Sequence, residues 1–149
     1  NLWIIPAAHT KARQEHRVPI QPRAIELLKS LPQLAGNNKV FPSLRGKSLS
    51  DMALSQLMRG MRERGELIVD AVPHGFRSTF RDWAAEQTGY PDEIRKAASG
   101  HTVGDAVKEA YQRTDLLGKR RRLMDEWAKF LSRSTGMIPN KVTQLVRKL

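Results

Sequence analysis

Proline and glycine cut this chain into segments, and the spacing of those cuts bounds its helices. Pro22 stands where the first residue of a helix belongs, and Pro32 stops the segment that Pro22 opens. Gly36-Asn37-Asn38 is a turn, Gly65 a helix C-cap, Gly89 a stop, Pro91 a restart and Gly100 another break. Between the cuts, apolar residues recur at helical spacing. Ile25, Leu27, Leu28 and Leu31 form one such face. Leu54, Leu57, Met58 and Met61 form a second, behind a capping box at Ser48 and Asp51. A helix beginning near His74 places Phe76, Phe80, Trp83, Ala84 and Gln87 on one side. The next turns Ile94, Ala97 and Ala98 inward.

The N-terminus obeys a different period. Leu2-Trp3-Ile4-Ile5 is rich in β-formers, and Arg17-Val18-Pro19-Ile20 is a second extended piece whose proline marks a strand edge or end. A polar connection from Ala7 to His16 joins them. Val40-Phe41 is a further short extended piece. Toward the C-terminus a short helix is expected around Val107 to Gln112. A longer one, from Leu116 to Leu131, carries Leu117, Arg120, Met124, Trp127 and Leu131. Ser132 to Asn140 reads as a linker, and Val142, Leu145, Val146 and Leu149 as an amphipathic strip. The expected fold class is α+β and mostly α-helical: a small N-terminal antiparallel β-hairpin packed on a helical bundle. Residues 1–131 form the domain, with a linker and tail at 132–149.

Charge points to the partner. Lys and Arg number 26 against 15 Asp and Glu, a net charge of +11. Such a balance favours a polyanion, above all nucleic acid. The basic residues are not gathered on one amphipathic helix, so a membrane surface is disfavoured. No apolar run approaches the ~20 residues of a membrane span. The opening Asn1-Leu2-Trp3 is no signal peptide and reads like the middle of a longer protein. With no cysteine, thiolate metal sites and cysteine nucleophiles are excluded, and a reducing cytoplasm fits. There is no Gly-rich phosphate loop, HExxH motif or paired carboxylate set, so neither cofactor nor metal is expected.

Four residues bear chemistry in a suggestive order. His74 and Arg77, in His74-Gly75-Phe76-Arg77, share one helix face near a helix N-terminus. Free N–H groups and the helix dipole favour an anion there, and arginine grips phosphate with two parallel bonds. His101 follows the break at Gly100, and Tyr111 lies in Ala110-Tyr111-Gln112-Arg113. Taken singly, each reads as a capping, surface, loop or packing residue.

Together, His-x-x-Arg, then Gly-His, then Tyr resemble the signature of tyrosine recombinases. The wording HGFRSTFRDWAAE, SGH and AYQRTDLLGKRRRLMDEWAKFL resembles integrases of temperate phages and genomic islands, from Trp3 to about Leu131. HTKARQEHRVPI resembles, more weakly, the hairpin on which that family carries a catalytic lysine, here Lys11.

The resemblance implies site-specific recombination in a bacterial cytoplasm through a 3′-phosphotyrosyl intermediate. Tyr111 is the implied nucleophile and Lys11 the general acid. Arg77 and His101 bind the reacting phosphate, while His74 supports them and accepts the phenol proton. Lys11, Arg13, Arg77, Arg113, Lys119 and Arg120 are the implied DNA contacts. The implied partners are double-stranded DNA attachment sites, other integrase subunits in a tetramer, and DNA-bending and excision accessory proteins. The chemistry is shared with type IB topoisomerases, and a non-catalytic DNA-binding remnant is a third reading. One departure stands out: the family's first arginine lies upstream of the lysine hairpin, where this chain begins. Arg62-Glu63-Arg64-Gly65-Glu66-Leu67 mimics that motif but follows Lys11, so it is read as a decoy. The chain is therefore expected to be a partial catalytic domain, inactive alone.

Overall fold

The computed structural model describes residues 1–11, 13–33, 35–43, 45–100 and 116–134. It is mostly helical with one small sheet. Strand β1 (Leu2–Ile5) runs antiparallel to β2 (His16–Pro19), with Leu2 opposite Pro19 and Ile5 opposite His16. A single 3-10 turn at Ala7–His9 starts the connection. Thr10 then ties it: its hydroxyl donates to the Gln14 carbonyl at 2.8 Å and accepts from the Gln14 N–H at 3.1 Å. Such side-chain bonds stand in for backbone pairs where the chain turns.

Five helices follow among the described residues: α1 (Pro22–Ser30), α2 (Ala53–Glu63), α3 (Pro73–Glu86), α4 (Asp92–Ala98) and α5 (Leu117–Ser134). Pro22 is at the start of α1 as its sequence requires. Leu31 is extended because the ring of Pro32 excludes the helical conformation before it. Pro91 likewise caps α4, and Gly100, with φ of 66°, lies just beyond the α4 end.

The core lies where α3, α4 and α5 meet. Phe80, Trp83 and Ala84 from α3, Ile94 from α4 and Leu123 from α5 are buried together. Trp127 and Phe130 close over them. The Trp127 ring stands edge-on to Phe80 at 5.5 Å and stacks on Phe130 at 5.4 Å. Aromatic pairs of this kind add roughly 0.5–1.5 kcal/mol beyond the area they bury. Helix α5 is the common partner, since α3, α4 and β2 all pack on it.

Several local expectations are corrected. The capping box does not form: α2 starts at Ala53 behind Met52, with no side-chain cap. Of its apolar face only Met58 is buried, while Leu54 and Leu57 are exposed, since no element among the described residues covers that end. Phe76 is 60% exposed, one turn before the α3 core begins. Val40 and Phe41 form no strand; an isolated bridge pairs Pro42 with Ser48. Helix α5 continues to Ser134, past the linker boundary expected after 131. The helix expected at residues 107–112 and the strip from Val142 lie outside the described residues.

Candidate active site

Two of the five implied catalytic residues share the first two turns of α3. Val72 is extended and makes no side-chain cap, and Pro73 opens the helix. His74 and Arg77 follow one turn apart, on the same side. His74 is exposed and Arg77 half-buried. The turn is reinforced by the Thr79 hydroxyl, which donates to the Gly75 carbonyl at 2.9 Å. The buried Phe80 and Trp83, one and two turns on, anchor this end of the helix to the core. Beside the α3 start, a groove between α2 and Pro73 is lined by Arg59, Arg62 and Asp70. Arg62 is ion-paired with Asp70. An imidazole, a guanidinium and the positive end of a helix dipole thus stand together at an accessible surface, an arrangement suited to a phosphate.

Lys11 lies in the hairpin connection, exposed, and Arg13 is exposed beside it in a left-handed backbone conformation with φ of 52°. His101, Tyr111 and Arg113 lie outside the described residues. Lys119 is exposed on the first turn of α5, where it is free to meet an anionic surface.

Arg120, another implied DNA contact, is buried inside the fold. It is only 2% exposed, with its Nη2 donating to the Arg17 carbonyl of β2 and lying 3.5 Å from Nε2 of His16. The physical reason is position: it shares the inward side of α5 with Leu123 and Trp127, against which α3, α4 and β2 pack. By its spacing Arg120 falls in the apolar stripe of this helix, with Leu117, Met124 and Trp127. The stripe was the usable signal.

The decoy motif and the second tyrosine are both engaged. Arg64 holds Glu66 through two bonds, Nε to Oε1 at 2.6 Å and Nη2 to Oε2 at 3.1 Å. The bonded guanidinium lowers the Glu66 carboxyl below its ordinary range. Tyr90, the only tyrosine besides Tyr111, donates its hydroxyl to Glu126 at 2.7 Å. Burial, then the bond to this carboxylate, push the Tyr90 phenol above its ordinary pKa, away from nucleophilic duty. No helix among the described residues is long and apolar enough to cross a membrane.

Comparison with known proteins identifies a family for the chain. The model described as "Phage integrase family" matches residues 1–116, a span that includes Lys11, His74, Arg77, His101 and Tyr111. The chain is 35% identical to prophage integrase IntA of Escherichia coli K12 over 127 residues, covering 85% of this chain and 30% of that protein. It is 28% identical to the integrase of Enterobacteria phage P4 over 147 residues, 88% of this chain and 33% of that protein. Prophage integrase IntZ of E. coli K12 is 29% identical over 126 residues, 83% of this chain and 30% of that protein. The chain therefore spans about a third of the length of these curated relatives. No solved structure matches it significantly. The chain belongs to the phage integrase family.

Proposed function

We propose that this chain is the catalytic portion of a site-specific recombinase that cuts and rejoins duplex DNA through Tyr111. The observation that supports this most is the paired His74 and Arg77 at the head of α3, followed in the chain by Gly100-His101 and Tyr111 within the family match. The net charge of +11 supplies the attraction to DNA.

In this reading the phenol oxygen of Tyr111 attacks the scissile phosphorus. A 3′-phosphotyrosyl bond forms as the bond to the 5′ oxygen breaks. His74 takes the phenol proton, and Lys11 gives a proton to the departing 5′ oxygen. Arg77 and His101 hold the non-bridging oxygens, on which negative charge builds in the transition state. Rejoining is the reverse: a 5′ hydroxyl attacks the phosphotyrosyl phosphorus and frees Tyr111. The phosphoester energy is conserved in the covalent intermediate, so no nucleotide is consumed. An arginine upstream of the hairpin completes the set, and the 149-residue chain without it cleaves little or not at all. Paired attachment sites and a tetramer of subunits make the exchange reciprocal.

The test is covalent trapping. The gene product carrying this sequence is incubated with a nicked suicide duplex and run on a denaturing gel. The wild type gives a protein–DNA adduct, and Tyr111→Phe, which lacks only the attacking oxygen, gives none while still binding the duplex. An adduct surviving in Tyr111→Phe rejects the assignment.

A further inference from the structure

We propose, on the recombinase reading above, that Arg120 is a positioning residue that fixes the Lys11 hairpin against the site. Charged side chains are almost never fully buried unless bonded, because leaving water costs several kcal/mol. Arg120 is buried at 2% exposure, and its guanidinium is directed at the hairpin. Nη2 donates to the Arg17 carbonyl in β2, the returning arm of the hairpin whose connection holds Lys11. The same Nη2 is 3.5 Å from Nε2 of His16, which starts β2. That imidazole in turn lies against Gly100: a Cβ built there would meet His16 Nε2 at 3.5 Å.

One guanidinium and one imidazole therefore close a junction of three elements. They are the hairpin arm, the end of α4 and the start of α5. In the chain these adjoin Lys11, His101 and the segment bearing Tyr111 respectively. Apolar packing alone would hold β2 on α5 and still let it slide. A charged donor aimed at one particular carbonyl sets the register. Among the described residues the ribbon has two strands, and a hairpin with no partner is marginally stable in water, so its seat on α5 matters. Arg120 has no role at the phosphate itself; it acts through the placement of Lys11.

Chemistry separates this role from a purely structural one. Lys11 is needed only where the leaving group must be protonated. A 5′-bridging sulfur leaves as a thiolate, whose conjugate acid has a pKa near ~8.5, and needs no proton. The gene product carrying this sequence, and its Arg120→Met, His16→Ala and Lys11→Ala variants, are each given two suicide duplexes, one with oxygen and one with sulfur at the bridging 5′ position. Folding is followed by circular dichroism and DNA affinity by titration. On oxygen DNA, Arg120→Met forms adduct about 10²-fold more slowly, the lower end of what a general acid contributes. On sulfur DNA it approaches the wild-type rate, as Lys11→Ala does. His16→Ala shows the same selectivity to a smaller degree and serves alone should Arg120→Met not fold. Equal slowing of the Arg120 and His16 variants on both duplexes, or no slowing on either, overturns the proposal. Equal slowing of Lys11→Ala on both duplexes removes Lys11 as general acid and overturns the proposal with it. An adduct formed by Tyr111→Phe is the separate result that would remove the recombinase reading.

Discussion

Helices α1 and α2 are more amphipathic in sequence than α3 and α5, yet bury far less. Phe80, Trp83, Ala84, Ile94 and Leu123 are buried on α3, α4 and α5. Helix α1 buries nothing, and α2 buries only Met58. Leu27, Leu54 and Leu57 stay exposed although each sits on the apolar face of its helix. The difference comes from neighbours. Helix α5 offers α3 and α4 a shared aromatic wall of Trp127 and Phe130, while α1 packs on no element to a comparable extent. A 3.6-residue period says which face wants covering and is silent about whether anything covers it.

The contrast can be broken by substitution, starting with its deepest residue. Ile94→Ala should cost roughly 2–5 kcal/mol of stability, read from urea unfolding, because it leaves a cavity at a fully buried site. A loss below ~1 kcal/mol would mean that the α3–α5 core relaxes as freely as a surface. Arg77→Ala, half-buried at the head of the same unit, should cost less stability than Ile94→Ala and slow adduct formation in the full gene product by about 10²–10³. Retained activity with lost stability would make Arg77 a packing residue.

Tyr90→Phe is the intermediate case. It removes the bond to Glu126 and should cost about 0.5–1.5 kcal/mol at neutral pH. Its pH dependence is distinctive. The folded state raises the Tyr90 pKa, so this contribution is complete below the unfolded value near ~10 and disappears as pH rises through the folded one. The wild type should therefore lose stability in alkaline urea titrations above pH ~10 more steeply than Tyr90→Phe. Parallel curves would sink this account. The smallest effect is expected for Leu57→Ala, about 0.5 kcal/mol or less, since Leu57 is 56% exposed. A cost of several kcal/mol would show that α2 is covered in solution.

What could be read in the sequence was what local stereochemistry decides. The hairpin, the start of α1 at Pro22, the restart at Pro91 and the inward set Phe80, Trp83, Ala84 and Ile94 follow from φ restrictions and periodicity. The order His74, Arg77, His101, Tyr111 stands out in the sequence only as a set, because each residue alone has an ordinary structural reading. The rest depended on which elements meet. Phe76 shares the stripe of Phe80 but lies a turn beyond the reach of α5, so it is exposed. Leu123, fully buried, was overlooked on a helix rich in arginine. The spacing of Arg120 puts it in the apolar stripe of α5, but only the approach of β2 gives its donors an internal acceptor. Ser48 and Asp51 had the capping spacing, yet the chain turns through Met52 before the helix begins.

Gly100 shows how easily tolerance to mutation can be misread as chemistry. Its backbone sits at φ 66°, a region that glycine enters at no steric cost and most L-residues resist. The space around it is ordinary, with the His16 ring at van der Waals distance from an added Cβ. In an exhaustive library of single substitutions this position would be depleted of nearly every replacement, with asparagine and aspartate the mildest. A map of such depletion would place Gly100 in the same class as a residue with a reactive side chain, although Gly100 has no side-chain donor, acceptor or charge. Intolerance at this bend measures the handedness of one peptide unit, and a ranking of essential positions has to subtract that before it is read as an inventory of reactive groups.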